Sequence, residues 1–292
     1  MPFDNGAAPR GHAAGIGLML ASVLLFSLND VLGKWLVASN TVGQVLLLRS
    51  LAALLVLAPL AWRVLRRPGF KVERPRLQAL RVAIGAAEAA CFYWVVASLP
   101  LADAMTYWMA APLMVTALAA LLLGERVGGR RWVLVLLGFV GVVVALGADL
   151  GAAGLPALGA LAGALLYALF LLCSRQLRET PDALLAAFQM LGGLGLGMLL
   201  LGRDGWSLPS GGDLPLLLLL GLVATLGHMG VTRALKLAPA SVVVPYQYSF
   251  LLWAVVFGWL IWGDIPGVEV ALGAVMIVAS GVLLLRASAS NH

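Results

Sequence analysis

Apolar stretches of about 20 residues follow one another along the whole chain, and short connections between them hold most of the charged residues. A helix of about 20 residues crosses a hydrocarbon core of roughly 30 Å, because each residue adds about 1.5 Å. Of the 292 residues, 62% are hydrophobic and 11% are charged, whereas soluble domains have about 45–50% apolar and about 25% charged residues. No water-soluble surface can be built from this composition, so the sequence predicts an all-α integral membrane protein.

Turn signals between the apolar stretches predict ten transmembrane helices. The stretch from Gly15 to Leu28 resembles the core of a signal peptide, but apolar residues continue to Val37 and no A-x-A site follows. We therefore expect it to be the first transmembrane helix. The ten predicted helices cover residues 13–37, 42–62, 77–98, 101–122, 131–147, 154–174, 182–201, 213–236, 240–262 and 267–286.

The charges of the connections alternate along the chain. Basic residues flank every second connection: Arg10, Arg63, Arg66, Arg67, Lys71, Arg74, Arg76, Arg81, Arg126, Arg130, Arg131, Arg175, Arg178, Arg233, Lys236 and Arg286. The other connections have Asp103, Asp149, Asp204, Asp213, Asp264 and Glu269, with Arg203 as their one basic residue. Lys and Arg are concentrated in cytoplasmic loops, so we expect a protein of the inner (plasma) membrane with both termini in the cytoplasm. The net charge of +6 then reflects topology and does not indicate a nucleic-acid partner.

The two halves of the chain repeat at a single offset of 139 residues. The matching positions are Pro100 and Pro239, Tyr107 and Tyr246, Gly124 and Gly263, and the acidic Glu125 and Asp264. Each half holds five helices, and because five is odd, the second copy enters the membrane from the opposite side. The sequence therefore predicts two inverted five-helix repeats, residues 1–147 and 148–292, an architecture typical of secondary transporters whose substrate site lies near the midplane.

Short patterns of charged, small and turn residues lie near the helix ends of both halves. They are Asp30 to Trp35 with Arg49, the turn Leu123 to Arg126, Gly138 to Gly141, Ala234 to Ala240, the turn Trp262 to Asp264, and Gly273 with Gly281. With these patterns the chain resembles the EamA-like branch of the drug/metabolite transporter superfamily, although Asp264 stands where that family usually has Glu. The resemblance implies a ten-helix carrier of small metabolites, similar to bacterial exporters of aromatic and other neutral amino acids.

Ionisable residues inside spans cost roughly 2.5–3.5 kcal/mol each and are therefore candidates for a functional site. Asp30 and Lys34 lie one turn apart on the first helix, and we expect them to neutralise each other. Two roles are open for Arg49, which either holds an interior carboxylate such as that of Glu88 or binds a carboxylate of the substrate. Glu88 and His228 occupy almost equivalent positions of the two repeats, and we expect them to face each other, either as cavity groups that titrate during transport or as an interhelical hydrogen bond.

Aromatic and polar side chains enter the fourth and ninth helices at matching depth from opposite faces. This arrangement predicts either a cavity for a small amphipathic or aromatic solute or packing between helices. We expect the cavity walls in helices one, three, four, six, eight and nine, with helices five and ten as packing elements. The candidate cavity residues are Asn29, Glu88, Tyr93, Tyr107, Trp108, Tyr167, His228, Tyr246, Gln247, Ser249 and Trp253.

Motifs of other function classes are missing from the sequence. The glycine run from Gly192 to Gly197 lacks the Lys-Ser/Thr of a phosphate-binding loop and predicts helix packing. Cys91 and Cys173 lie in apolar segments without a metal-ligand spacing, so we expect no disulfide, metal or cofactor. The sequence therefore predicts a gradient-driven exporter of small metabolites in the lipid bilayer, with amino acids, including aromatic and hydrophobic ones, as the expected substrates. A membrane-embedded enzyme and a channel are the alternatives.

Overall fold

The computed structural model describes residues 9–69, 71–123, 128–146, 150–177, 179–237 and 243–289. Within these ranges the regular structure is helical throughout. The elements are α1 (Pro9–Val37), α2 (Val42–Leu65), α3 (Pro75–Val96), α4 (Leu101–Trp108), α5 (Ala111–Leu123), α6 (Gly129–Leu146), α7 (Leu150–Gln176), α8 (Asp182–Asp204), α9 (Asp213–Leu237), a 3₁₀ helix (Val244–Tyr248), α10 (Ser249–Trp262) and α11 (Val268–Ala289).

These elements form ten spans. Seven apolar helical segments of the described chain are long enough to cross a membrane, and three shorter apolar helices complete the set. One span consists of α4 and α5 together, and another consists of the 3₁₀ helix and α10. The prediction of a ten-helix integral membrane protein is confirmed.

Local sequence sets several of the helix ends. The start of α2 is a capping box, in which the Thr41 hydroxyl accepts a hydrogen bond from the Gln44 backbone N–H at 3.3 Å, while the Gln44 side chain accepts one from the Thr41 N–H at 3.0 Å. Helix α10 ends at Trp262 and is capped by Gly263, whose φ of 71° lies in the left-handed region that favours glycine.

The fourth span of each repeat is interrupted at the same point. Between α4 and α5, Met109 and Ala110 leave the α-helix before Pro112, which lacks the N–H that a continuous helix would use there. The repeat offset of 139 residues places this break at Tyr248 and Ser249, where the 3₁₀ helix becomes α10. Interrupted helices at equivalent points of two repeats are typical of the region around a transporter's substrate site.

Helix contacts follow the pseudo-two-fold symmetry of inverted repeats. The contact of α1 with α9 has its counterpart in the contact of α3 with α7, and the contact of α2 with α9 has its counterpart in α3 with α8. Three contacts, α2 with α8, α4 with α10, and α6 with α11, join equivalent spans to each other. The chain is therefore an all-α bundle of two inverted five-helix repeats that interlock, so that each repeat buries its helices largely against the other.

Glycines allow a close contact between the repeats where α2 crosses α8. A Cβ on Gly197 would lie 2.7 Å from the Leu47 backbone nitrogen and 2.9 Å from the Gly43 carbonyl oxygen. A Cβ on Gly193 would lie 2.7 Å from the Ser50 hydroxyl oxygen. The prediction that the glycine run of α8 packs helices is confirmed at these two positions.

The bundle has two ends, which we name by a cation near each, the partly buried Lys34 and the buried Arg81. The connections 38–41, 97–100, 205–212 and 263–267 lie at the Lys34 face. The connections 66–69 and 179–181, with the start of α1, lie at the Arg81 face, because successive spans run in opposite directions.

Candidate functional site

A cavity lies between the two repeats, in walls formed by α2, α3, α7, α8 and α9. Its volume is about 490 Å³ when the open space at its mouth is counted with it. Its polar lining is Arg49, Ser50, Glu88, Tyr167, Gln189 and His228. Six spans were expected to form the walls. Of these, the third, sixth and eighth spans, which are α3, α7 and α9, do so. The second and seventh spans, α2 and α8, also form the walls and were not expected.

Arg49 is positioned by an aromatic neighbour. Its guanidinium donates a hydrogen bond to the hydroxyl of Tyr93, and its central carbon lies 5.4 Å from the centre of the Tyr93 ring. Tyr93 is fully buried, so it fixes the arginine at the inner end of the cavity. No ion pair joins Arg49 to Glu88 in the described part of the chain. The guanidinium therefore has hydrogen-bonding capacity left for a solute.

Glu88 is held by the indole of Trp108, whose Nε1 donates to the Glu88 Oε1 at 3.2 Å. The Trp108 ring packs edge-on against Phe92 at 5.3 Å between ring centres. On its other side it lies against Gly163, where a Cβ would come within 2.0 Å of the ring. Trp108 thus orients a cavity carboxylate from behind and does not itself line the cavity.

The other residues expected at this depth lie around the cavity. The Tyr107 hydroxyl donates to the Ala145 carbonyl oxygen at 3.2 Å and joins α4 to α6. In the second repeat, Tyr246 is partly exposed, and its carbonyl oxygen accepts a hydrogen bond from the Ser249 hydroxyl at 2.6 Å. Trp253 stacks on Phe257 at 5.6 Å between ring centres. These four residues and the half-buried Gln247 lie outside the cavity wall.

His228 and Glu88 share the cavity, as expected from their equivalent positions. The His228 ring packs edge-on against Phe26 of α1 at 4.7 Å between centres. Within the described residues no hydrogen bond joins His228 to Glu88. The two side chains are therefore separate polar groups on the cavity wall.

Sequence reasoning missed two polar residues of the cavity, Ser50 on α2 and Gln189 on α8. They differ by the repeat offset of 139 residues, so they are equivalent positions in the two repeats. The Gln189 Oε1 is buried and has no hydrogen-bond partner, which leaves an acceptor for a donor on a solute. Applying the repeat offset to uncharged polar residues as well as to aromatic and acidic ones would have identified this pair.

The expected ion pair between Asp30 and Lys34 is wrong. The Lys34 Nζ lies 3.3 Å from the Asp264 Oδ2 and donates to the Leu99 carbonyl oxygen at 3.0 Å. Asp264 lies at the end of the bundle, where both partners keep some exposure and the cost of removing water from the charges is smaller. Asp30 is 9% exposed and accepts a hydrogen bond from the Asn29 amide at 3.1 Å.

Further bonds between the repeats lie at the Lys34 face. The Asp213 carboxylate accepts hydrogen bonds from Ser39 at 2.9 Å and from Asn40 at 3.1 Å. The Gln44 amide donates to the Ser207 carbonyl oxygen. These contacts join the connection between α1 and α2 to the second repeat. Together with the ion pair of Lys34 they hold the two repeats together at this face.

The Arg81 face has a different arrangement. The Arg81 Nε donates to the Ser174 hydroxyl at 2.7 Å, and its Nη1 donates to the Leu185 carbonyl oxygen at 3.2 Å. The guanidinium lies 4.4 Å above the Phe170 ring, which lines the cavity. The cavity is therefore nearer to the Arg81 face, and the layer of Tyr93 and Trp108 separates it from the Lys34 face.

Comparisons with known proteins place this architecture among transporters. The EamA-like transporter family matches residues 13–147 and 154–286. The chain is 28% identical over 291 residues to a riboflavin transporter of Rhizobium johnstonii, covering 95% of this chain and 93% of the relative. It is 25% identical over 277 residues to the pseudopaline exporter CntI of Pseudomonas aeruginosa, covering 94% and 96%.

Two further similarities extend over almost the full length. An S-adenosylmethionine uptake transporter of Rickettsia prowazekii is 24% identical over 289 residues, covering 98% of each chain. A solved crystal structure matches the fold with a TM-score of 0.60 at 21% identity, covering 94% of this chain and 99% of that chain.

Proposed function

The chain belongs to the EamA-like transporter family, and on that premise we propose that it is a secondary carrier that exports amino acids and related small metabolites by alternating access. That it is a small-molecule transporter of the membrane, and not an enzyme, follows from the family and its relatives. These relatives are named for riboflavin, pseudopaline and S-adenosylmethionine. Because these cargoes differ, the substrate class has to be argued from the cavity.

The substrate proposal rests on one observation: Arg49 on α2 and Glu88 on α3 line the same cavity. A guanidinium is the preferred partner of a carboxylate, and a carboxylate is an acceptor for an ammonium group. An α-amino acid carries both groups on one carbon. Arg49 and Glu88 supply the two complementary charges without neutralising each other directly, which favours a zwitterionic solute.

The remainder of the cavity suits an apolar or aromatic side chain. Tyr167 and Phe170 line it together, and their rings are stacked at 6.3 Å between centres. Such a surface gains energy from flat apolar solutes through burial and ring stacking. Gln189 and Ser50 add uncharged hydrogen-bonding groups beside it. Aromatic and hydrophobic amino acids are therefore the substrates that this cavity supports best.

Alternating access is supported by the difference between the two faces of the bundle. An ion pair and hydrogen bonds join the repeats at the Lys34 face, hydrogen bonds of Arg81 join them at the Arg81 face, and the cavity lies toward the Arg81 face. Inverted repeats allow the opposite state to form when the repeats exchange these roles around the site. We propose that the cavity binds solute from the Arg81 face and releases it after the bonds at the Lys34 face have broken.

Loop charges orient this cycle in the inner membrane. The basic connections lie on the side of the Arg81 face, and this distribution supports a cytoplasmic position for that face and for both termini. Transport from the Arg81 face to the Lys34 face is then export. Reporter fusions at each terminus measure the orientation, and an external reporter at either terminus would contradict it.

Purified full-length protein in proteoliposomes is expected to exchange radiolabelled phenylalanine for unlabelled phenylalanine trapped inside. The exchange should saturate and need no ATP, because a carrier binds its solute at one site and the sequence has no nucleotide-binding motif. Protein-free liposomes give the background. Flux that rises in proportion to concentration would indicate a channel. Saturable flux of riboflavin without flux of any amino acid would retain the carrier and refute the substrate class.

A further inference from the structure

A second groove lies on the outside of the bundle between α3 and α8, near the Arg81 face. Its volume is about 540 Å³ when the open space beside it is counted, and it is lined mainly by apolar side chains, among them Ala79 and Val82 on α3 and Leu191 on α8. Leu191 is 50% exposed, so this surface faces the lipid and not the central cavity. The groove is separate from the proposed transport site.

Gln78 is the polar residue of this groove. It is 5% exposed, it lines the groove, and neither its Oε1 nor its Nε2 has a hydrogen-bond partner. A buried amide with both polar atoms unpaired is rare, because it loses its bonds to water and gains none in return. The amide therefore indicates a ligand with a polar group at this depth.

The N-terminus of α3 lies at the mouth of the groove. Its cap residue, Arg74, makes no side-chain capping bond, so the first backbone N–H groups of the helix have no cap. Helix N-termini in this condition attract anions. Two groove residues, Val72 and Pro75, are flanked in sequence by exposed Lys71, Arg74 and Arg76.

These cations have spare binding capacity. No salt bridge engages Lys71, Arg74 or Arg76 within the chain segments that the structure describes. Glu73 lies in the same connection, which leaves three cations against one carboxylate at the mouth. An anionic headgroup has the complementary charge.

We propose that this groove binds an anionic phospholipid. The phosphate lies at the N-terminus of α3 among Lys71, Arg74 and Arg76, and one acyl chain lies along Ala79, Val82 and Leu191. Gln78 is three residues inside the helix from Pro75, or about 4.5 Å at 1.5 Å per residue. At that depth its amide meets the ester groups of the glycerol backbone, where Nε2 donates to the ester carbonyl oxygens.

Lipid titration of the full-length protein in neutral detergent tests the proposal. Phosphatidylglycerol is expected to bind saturably and on the order of a hundredfold more tightly than phosphatidylcholine with the same acyl chains, because three cations contribute at the headgroup. Glycerol phosphate, the soluble counterpart, is expected to have no effect at the same concentration. An equal effect of glycerol phosphate would identify a site for free phosphate and overturn the lipid proposal.

Two matched charge variants separate a built site from general attraction to a basic loop. Lys71→Gln, Arg74→Gln and Arg76→Gln together are expected to remove most of the preference for phosphatidylglycerol. Arg63→Gln, Arg66→Gln and Arg67→Gln remove the same charge from the preceding helix end and should leave the preference nearly unchanged. Equal losses in the two variants would mean non-specific electrostatics and would refute the site.

The acyl part is tested inside the groove. Ala79→Phe fills it and should prevent binding, whereas Leu80→Phe, at a neighbouring residue that is 52% exposed and outside the groove, should not. Normal binding by Ala79→Phe would show that no acyl chain occupies the groove. Gln78→Leu should weaken binding about tenfold through the lost hydrogen bonds. A more stable protein with unchanged lipid affinity would show instead that Gln78 contacts no lipid, and would contradict the proposal.

Discussion

Arg49→Gln is expected to lower phenylalanine exchange in proteoliposomes by about ten- to a hundredfold at substrate concentrations below saturation. A hydrogen bond to a charged group contributes about 1.5–3 kcal/mol, which corresponds to this range of affinity. The substitution removes the cavity guanidinium that, in the proposed function, supplies this bond to a carboxylate of the solute. It also removes a positive charge that interacts with Glu88 and Asp30. The measurement is the initial rate against substrate concentration, normalised to the folded protein in each vesicle preparation.

Two variants of neighbouring residues serve as controls for Arg49→Gln. Tyr93→Phe removes the hydroxyl that receives the Arg49 hydrogen bond but keeps the guanidinium, so exchange should stay within about threefold of the original rate. Gln189→Leu removes an uncharged group from the same cavity and should have an effect between the two. If Tyr93→Phe were as damaging as Arg49→Gln, the arginine would serve the packing of α2 against α3, and its assignment as a substrate ligand would be wrong.

Gly197→Leu is expected to prevent the assembly of the bundle and to abolish the yield of folded protein in detergent. Its new side chain would meet the backbone nitrogen of Leu47 and the carbonyl oxygen of Gly43. Overpacking against side chains costs about 1–3 kcal/mol, and backbone atoms cannot move aside as a flexible side chain does. The measurement is size-exclusion chromatography of the fluorescently tagged full-length protein.

Gly195→Leu is the matched control, because it places the same side chain in the same glycine run. No atom lies within 4 Å of a Cβ at Gly195, so this variant should elute as the original protein does. The comparison holds helix propensity and hydrophobicity constant and changes only the direction in which the side chain points. Equal loss of both variants would show that the run is needed for helix flexibility or insertion and not for contact between α2 and α8.

The fold was predictable because its determinants are local and periodic. The length of the apolar stretches identifies the spans, and matched residues such as Pro100 and Pro239 reveal the repeat. The interruption in the fourth span was not predicted, although Pro112 is a local reason for it. The interruption at Tyr248 and Ser249 can be predicted only from the interruption in the first repeat, by adding the repeat offset to its position.

The site was predicted only in part, because sequence gives the depth of a side chain more readily than its direction around the helix axis. Glu88 and His228 have similar depth and do share a cavity. Tyr107 has a suitable depth too, yet its hydroxyl bonds to α6. Lys34 was assigned to its nearest carboxylate on the same helix, whereas its partner Asp264 is 230 residues away in sequence and comes near only through the packing of the repeats.

The ion pair of Lys34 with Asp264 gives the two opposite states of a symmetric architecture different free energies. The repeat offset places Cys173, an uncharged residue, at the position equivalent to Lys34. In the opposite state, closed at the Arg81 face, the positions equivalent to Lys34 and Asp264 therefore cannot form an ion pair. In the proposed alternating-access cycle, the empty carrier is therefore expected to rest mainly with its cavity accessible from the Arg81 face. A binding-competent state that is more populated gives a lower apparent dissociation constant, so solute is captured at lower concentrations from that side. If transport is uncoupled, net flux must vanish at equal concentrations on the two sides. The lower apparent dissociation constant at the Arg81 face is then matched by a lower maximal rate from that face, and the proposed carrier is expected to be kinetically asymmetric.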